Sequence, residues 1–118
     1  MQIERRVRAI LDSEAEAIKA VSIDASYGKA VELIETCAGK IITTGMGKAG
    51  FVAHKFAAIL SSTATPAVFI HPAEAAHGDL GVLAPGDCIV AFSTSGKTRE
   101  VLEFIQLSRR MNIGSVIG

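Results

Sequence analysis

Cys88-Ile89-Val90-Ala91-Phe92-Ser93-Thr94-Ser95-Gly96-Lys97-Thr98-Arg99-Glu100 holds a strand, a turn and the start of a helix in one line. The first five residues are apolar and follow the turn-forming Pro85-Gly86-Asp87, which fits a short buried strand. From Arg99 to Arg110, Val101, Leu102, Ile105 and Leu107 recur at helical spacing and predict a helix with these side chains inward. Between strand and helix, hydroxyls at Ser93, Ser95 and Thr98 crowd together with Gly96 and Lys97. Such a turn aims free backbone N–H groups and the positive end of a helix dipole at an anion, most often a phosphate. Glu100 lies one turn in, a carboxylate within reach of whatever the phosphate is attached to.

The pattern repeats on either side. Ile113 to Ile117 predicts a further strand, and Ala67 to Ile70 another, started after Pro66. Lys40 to Thr44 is a short β-branched strand. Gly45 to Gly50 reads as a loop, and Phe51 to Leu60 as a helix offering Phe51, Val52, Phe56, Ile59 and Leu60 to the core. Two more helices precede these, Ile3 to about Ser22 and Ala25 to Cys37, the second ended by Gly39 as a C-cap. His71 to Leu83 is a loop with room for one helical turn, and Ser61-Ser62-Thr63 closes the helix before it in a structural role. Strands and helices in this order predict an α/β fold: a parallel sheet covered on both faces, a three-layer α-β-α sandwich, as one domain over residues 1–118. Such sheets bind ligands at the carboxyl ends of their strands. The three unusual loops, after Thr44, Ile70 and Phe92, all fall at that end. The sequence closes directly after a strand that an open sheet normally covers with another helix, so the unit reads as incomplete.

Composition narrows the function. Hydrophobic residues make up 49%, which fits a globular chain. Lys+Arg and Asp+Glu number 12 each, so bulk charge supports neither a nucleic-acid nor a membrane-surface role. No apolar run approaches the ~18 residues that span a bilayer. Cys37 and Cys88 form no C-x-x-C pair and read as buried free thiols of a reducing cytoplasm.

Gly45-Met46-Gly47-Lys48-Ala49-Gly50 matches G-x-G-x-x-G after a strand. A dinucleotide site also needs an acidic residue at the end of the next strand, where Ile70-His71-Pro72 has none. A P-loop needs Ser or Thr after Gly47-Lys48, where Ala49 stands. What remains is a backbone-anion loop with one lysine, set against the plainer reading of a tight turn with a solvated lysine. For Ser93 to Thr98 the plainer reading is a helix N-cap. One hydroxyl satisfies a cap; three with a glycine point to a phosphate dianion. The third loop places His71, Glu74, His77 and Asp79 close together. A spacing of six between the histidines is no standard zinc pattern. A structural role suits His71, while His77, beside Gly78 and Asp79, is the better candidate for chemistry.

Together Thr44-Gly45-Met46-Gly47-Lys48-Ala49-Gly50, the run from Thr65 through His71-Pro72-Ala73-Glu74-Ala75-Ala76-His77-Gly78-Asp79-Leu80-Gly81, and Ser93-Thr94-Ser95-Gly96 resemble the sugar isomerase (SIS) family. The resemblance is greater to its D-arabinose 5-phosphate isomerase branch. It implies a flavodoxin-like sheet, with this chain matching the N-terminal part of the catalytic domain. It also implies an aldose–ketose isomerase that interconverts D-ribulose 5-phosphate and D-arabinose 5-phosphate for lipopolysaccharide or capsule synthesis. Family members use no organic cofactor and assemble as dimers or tetramers with active sites at subunit interfaces. By motif match the resemblance makes Lys48 and Glu100 catalytic and puts His77 at the active site, where zinc binds and inhibits. Gly47, Ser93, Ser95, Gly96 and Thr98 fall in the phosphate-binding positions. Three departures stand out: Ala49 replaces a usual serine, Lys97 a common glutamate, and the family's later segments have no counterpart. A non-catalytic sugar-phosphate-binding module is the competing reading.

Overall fold

The computed structural model describes residues 1–118. Four strands build one sheet: β1 (Ile41–Gly45), β2 (Ala67–Phe69), β3 (Cys88–Phe92) and β4 (Ser115–Ile117). All pairings are parallel, in the spatial order β2-β1-β3-β4. The β-branched residues of β1 and β3 sit at the centre, where strands are covered on both faces. Side chains alternate across the sheet. Ile42, Ile89 and Ala91 face one core with Val101, Phe104 and Ile113, and Ile41, Cys88 and Val90 face the other with Phe56 and Leu60 packed on them. The expected three-layer α-β-α sandwich is the observed architecture.

α3 (Gly47–Ser62) covers one face, while α4 (Pro72–Ala75), a single 3-10 turn at Asp79–Val82, and α5 (Arg99–Arg110) cover the other. α3 begins earlier than its apolar pattern predicts, so Gly47 to Gly50 is helix and not loop. It meets the sheet through Gly50, Ala53 and Ala57, small residues that let helix and strands approach closely. Phe51, Val52 and Ile59 therefore point outward, and only Phe56 and Leu60 of the five expected core residues pack inward. α5 differs in the same way. It buries Val101, Phe104 and Ser108, half-buries Ile105 and Leu107, and leaves Leu102 exposed. The segment after Ile70 holds two short turns of helix where one was expected.

α1 (Gln2–Lys19) and α2 (Ala25–Glu35) precede the sheet. Asp24 caps α2 by accepting from the Ser26 N–H at 2.8 Å. α2 ends at Thr36, and Gly39 serves a different purpose from a C-cap: a Cβ there would collide with the Asp87 carboxylate. That carboxylate is buried at the amino end of the sheet. It accepts from the N–H groups of Lys40 and Ala84 at 2.9 Å each and from the Lys40 ammonium at 2.7 Å. Burial pushes Asp87 up, but hydrogen bonds from the Lys40 side chain and from the Lys40 and Ala84 backbones outweigh it and hold the carboxyl below its ordinary range. No residue of α1 is buried.

Candidate functional site

From β1 the chain crosses through α3 to β2 on one side, and from β3 through α5 to β4 on the other. The direction of winding reverses between β1 and β3, which makes their carboxyl ends the topological switch point where open α/β sheets bind ligands. Gly45 lies in register with Phe92. The two glycine-bearing turns thus leave the sheet side by side, and a groove of about 320 Å³ lies between them, lined by Lys48, Ala49, Val52, Phe92, Ser93 and Thr94.

One wall is the start of α3. A single residue, Met46, separates strand from helix and supplies no side-chain cap. The turn is this tight because Gly47 takes φ +57°, a left-handed value that favours glycine. A Cβ at Gly50 would stand 2.6 Å from the Gly45 carbonyl oxygen, so the helix rests directly on the strand end. The first-turn N–H groups of α3 have no intrahelical acceptor, and Lys48 rises from that turn into the groove.

The other wall is the turn after β3. Ser93 Oγ and Thr98 Oγ1 share a hydrogen bond of 2.8 Å. Ser93 Oγ also accepts from Gly96 N–H, and Ser95 Oγ from Lys97 N–H, at 3.0 Å each. Gly96 takes φ +68° to close the turn. Thr98 occupies the N-cap position of α5 but makes no capping bond, since its hydroxyl is turned to Ser93. The hydroxyls therefore do not act as an ordinary cap, and the first N–H groups of α5 stay open. Glu100 follows in that first turn, half-buried, and joins none of the ion pairs; its neighbour Arg99 pairs with Glu103 at 2.9 Å.

The third loop is anchored by structure. His71 Nδ1 accepts from Ala73 N–H at 3.2 Å and caps α4, which matches the structural role expected of it. Pro72 and Ala75 are buried beneath. His77 lies two residues beyond, exposed, before Gly78 at φ +118°. Ser61, Ser62 and Thr63 all bond to backbone carbonyls and are structural, as expected.

Of the residues singled out in the sequence, Lys48 and Ser93 share the groove. Gly47, Ser95, Gly96, Thr98 and Glu100 belong to the two turns that form its walls, and His77 stands on the neighbouring loop. Val52, Phe92 and Thr94 also line the groove and were missed. Phe92 gave a signal as the last residue of a strand paired with Gly45, but the register that makes it count is not visible in a linear pattern. No group of three or more His, Cys, Asp or Glu side chains is placed to hold a metal ion.

The family model for the SIS domain matches residues 36–118. The chain belongs to the SIS domain family. This SIS domain is 42% identical over 113 residues to arabinose 5-phosphate isomerase KdsD of Yersinia pestis, covering 96% of the chain and 32% of that protein. It is 44% identical over 102 residues to arabinose 5-phosphate isomerase KpsF of Escherichia coli, covering 84% of the chain and 31% of that relative. It spans about a third of the length of the curated relatives it matches. Among solved structures, the SIS domain superimposes on a Bacteroides fragilis protein, described as a phosphosugar isomerase involved in capsule formation, with a TM-score of 0.93 and 42% identity, covering 97% of this chain and 63% of that one. An Escherichia coli CFT073 protein in complex with arabinose 5-phosphate superimposes with a TM-score of 0.89 at 32% identity, covering 95% and 61%.

Proposed function

We propose that this SIS domain, residues 1–118, carries the phosphate grip and part of the proton-transfer machinery of a sugar-phosphate aldose–ketose isomerase. The favoured reaction interconverts D-arabinose 5-phosphate and D-ribulose 5-phosphate in the cytoplasm, feeding lipopolysaccharide or capsule synthesis. The supporting observation is the switch-point groove, where two helix N-termini without side-chain caps flank one lysine and a serine-rich turn. Similarity to relatives named arabinose 5-phosphate isomerases favours this substrate. The two cysteines are free thiols, in keeping with a reducing compartment.

In this reading Ser93, Ser95, Gly96 and Thr98, with Gly47 across the groove, anchor the phosphate. Glu100 removes the proton from carbon 2 of the aldose and returns it to carbon 1. A hydroxyl proton passes from oxygen 2 to oxygen 1 through the ene-diol, with no net oxidation. Lys48 polarises the carbonyl and stabilises the oxyanion. His77 assists ring opening or carries the hydroxyl proton. No organic cofactor enters. A homodimer or homotetramer completes the assembly, and the exposed apolar side chains of α1 and α3 supply surface for it.

Glu100→Gln tests the chemistry. Exchange of the carbon 2 proton of D-arabinose 5-phosphate with solvent deuterium should fall about 10²- to 10⁴-fold, with binding retained. Near-normal exchange removes Glu100 from the reaction. The second reading, a binding module without turnover, is favoured by one observation: Glu100 and His77 do not line the groove that Lys48 and Ser93 share. Tight binding of D-arabinose 5-phosphate to the unaltered chain with no proton exchange would establish it.

A further inference from the structure

We infer that Thr44 is a positioning residue whose buried hydroxyl sets, through Ile70 and the turn that follows, where His77 stands relative to Lys48. Parallel strands covered on both faces are ordinarily filled by Val, Ile and Leu. β1 instead carries Thr43 and Thr44 at positions with no solvent exposure. A threonine has the shape of valine, and its hydroxyl costs stability in such a place unless it is bonded. Both hydroxyls are bonded, on opposite faces of the sheet. Thr43 Oγ1 donates to the Ala53 carbonyl of α3 at 2.8 Å, and Thr44 Oγ1 to the Ile70 carbonyl at 2.7 Å.

Ile70 is one residue past the end of β2, at the last hydrogen bond of the β1–β2 ladder. It is held from two directions: its N–H donates to the Thr43 carbonyl at 2.9 Å, and its own carbonyl accepts from Thr44. Each subsequent link is bonded or buried up to Ala75. His71 caps α4, Pro72 and Ala75 are buried, and Ala75 joins the core cluster that contains Ile42 and Ile70. His77 N–H then donates to the Glu74 carbonyl at 2.9 Å. Thr44 immediately precedes Gly45, from which the turn to Lys48 departs. One residue therefore ties the origin of the Lys48 turn to the origin of the His77 loop. Its consequence for turnover rests on the isomerase reading above, whereas its consequence for the loop does not.

The test uses the full 118-residue chain and the variants Thr44→Val and Thr44→Ser. Hydrogen–deuterium exchange should quicken about tenfold in residues 71–81 of Thr44→Val, with residues 93–98 unchanged. Binding of inorganic phosphate should stay within about twofold, since the Thr44 hydroxyl bonds toward Ile70 and toward neither glycine-bearing turn. If the wild-type chain turns over D-arabinose 5-phosphate, kcat of Thr44→Val should fall about tenfold with KM unchanged, and Thr44→Ser should recover it. A quickening spread evenly over both segments, or none at all, overturns the inference. If Thr44→Val does not fold, Thr44→Ser decides: it keeps the hydroxyl, and loss of protection in residues 71–81 of a folded Thr44→Ser overturns the inference. Absence of turnover in the wild type counts against the isomerase reading alone, because the exchange measurement still decides the role of Thr44.

Discussion

Asp87 shows what a single buried carboxylate contributes at the amino end of the sheet. Asp87→Asn keeps the shape and loses the charge-assisted bonds, and should cost about 2–3 kcal/mol in denaturant unfolding. Because the folded carboxyl is held below its ordinary range, the stability it supplies is fully present above about pH 4 and is lost as pH falls through the lowered folded value. An acid titration should therefore show wild type losing stability over that window and Asp87→Asn losing less; parallel curves would refute the assignment. Gly50→Ala tests the close approach of α3, since its Cβ meets the Gly45 carbonyl oxygen at 2.6 Å. It should lower stability by about 1–3 kcal/mol and weaken phosphate binding at the same time, as thermal melts and titration calorimetry will show. At this scale the sequence was legible where chemistry is local: His71, Ser61 and the buried Cys88 thiol needed only their neighbours, whereas Cys37, expected buried, is only half-buried. Gly39 and Asp87 were not, because what unites them is contact between residues far apart in the chain.

The helices show where a periodic pattern misleads. Phe51, Val52 and Ile59 repeat as a core face should, yet α3 uses Gly50, Ala53 and Ala57 to touch the sheet. Small residues bury little area and score weakly in a hydrophobic pattern, but they allow the short helix-to-sheet distance that the turn at Gly47 demands. Strands were more legible, since short β-branched runs between turn residues have few other readings. Of the site, the two glycine-bearing strand-to-helix turns were legible, the first without the early start of its helix, and their shared groove was not. The element-scale prediction concerns the turn before α5. Lys97→Glu reverses one exposed charge beside the open N–H groups and should weaken inorganic phosphate binding about three- to tenfold at low ionic strength, with the difference shrinking as salt is added. Unchanged affinity at low salt would show that Lys97 lies outside the field of the site.

For the whole molecule, the exposed apolar side chains raise the question of assembly. Ile3, Val7, Ile10, Leu11 and Ile18 of α1, and Phe51, Val52 and Ile59 of α3, stand in solvent, more than scattered surface residues explain. Sedimentation should show concentration-dependent self-association, and the Val7→Asp, Leu11→Asp pair should shift it toward monomer; a wild-type monomer at all concentrations would refute assembly through these faces. The common direction of the four strands has another consequence. The amino end carries the buried Asp87 carboxylate with Lys40 and Gly39, and the opposite end carries the groove between the turns after Gly45 and Phe92, the proposed phosphate site. The usual conflict between robustness and activity arises where the same residues must serve both. Here a full strand length separates the Asp87 cluster from the proposed phosphate site, far enough for substitutions in that cluster to act independently of binding. Selection, or an engineer, is free to harden the amino end without touching the groove.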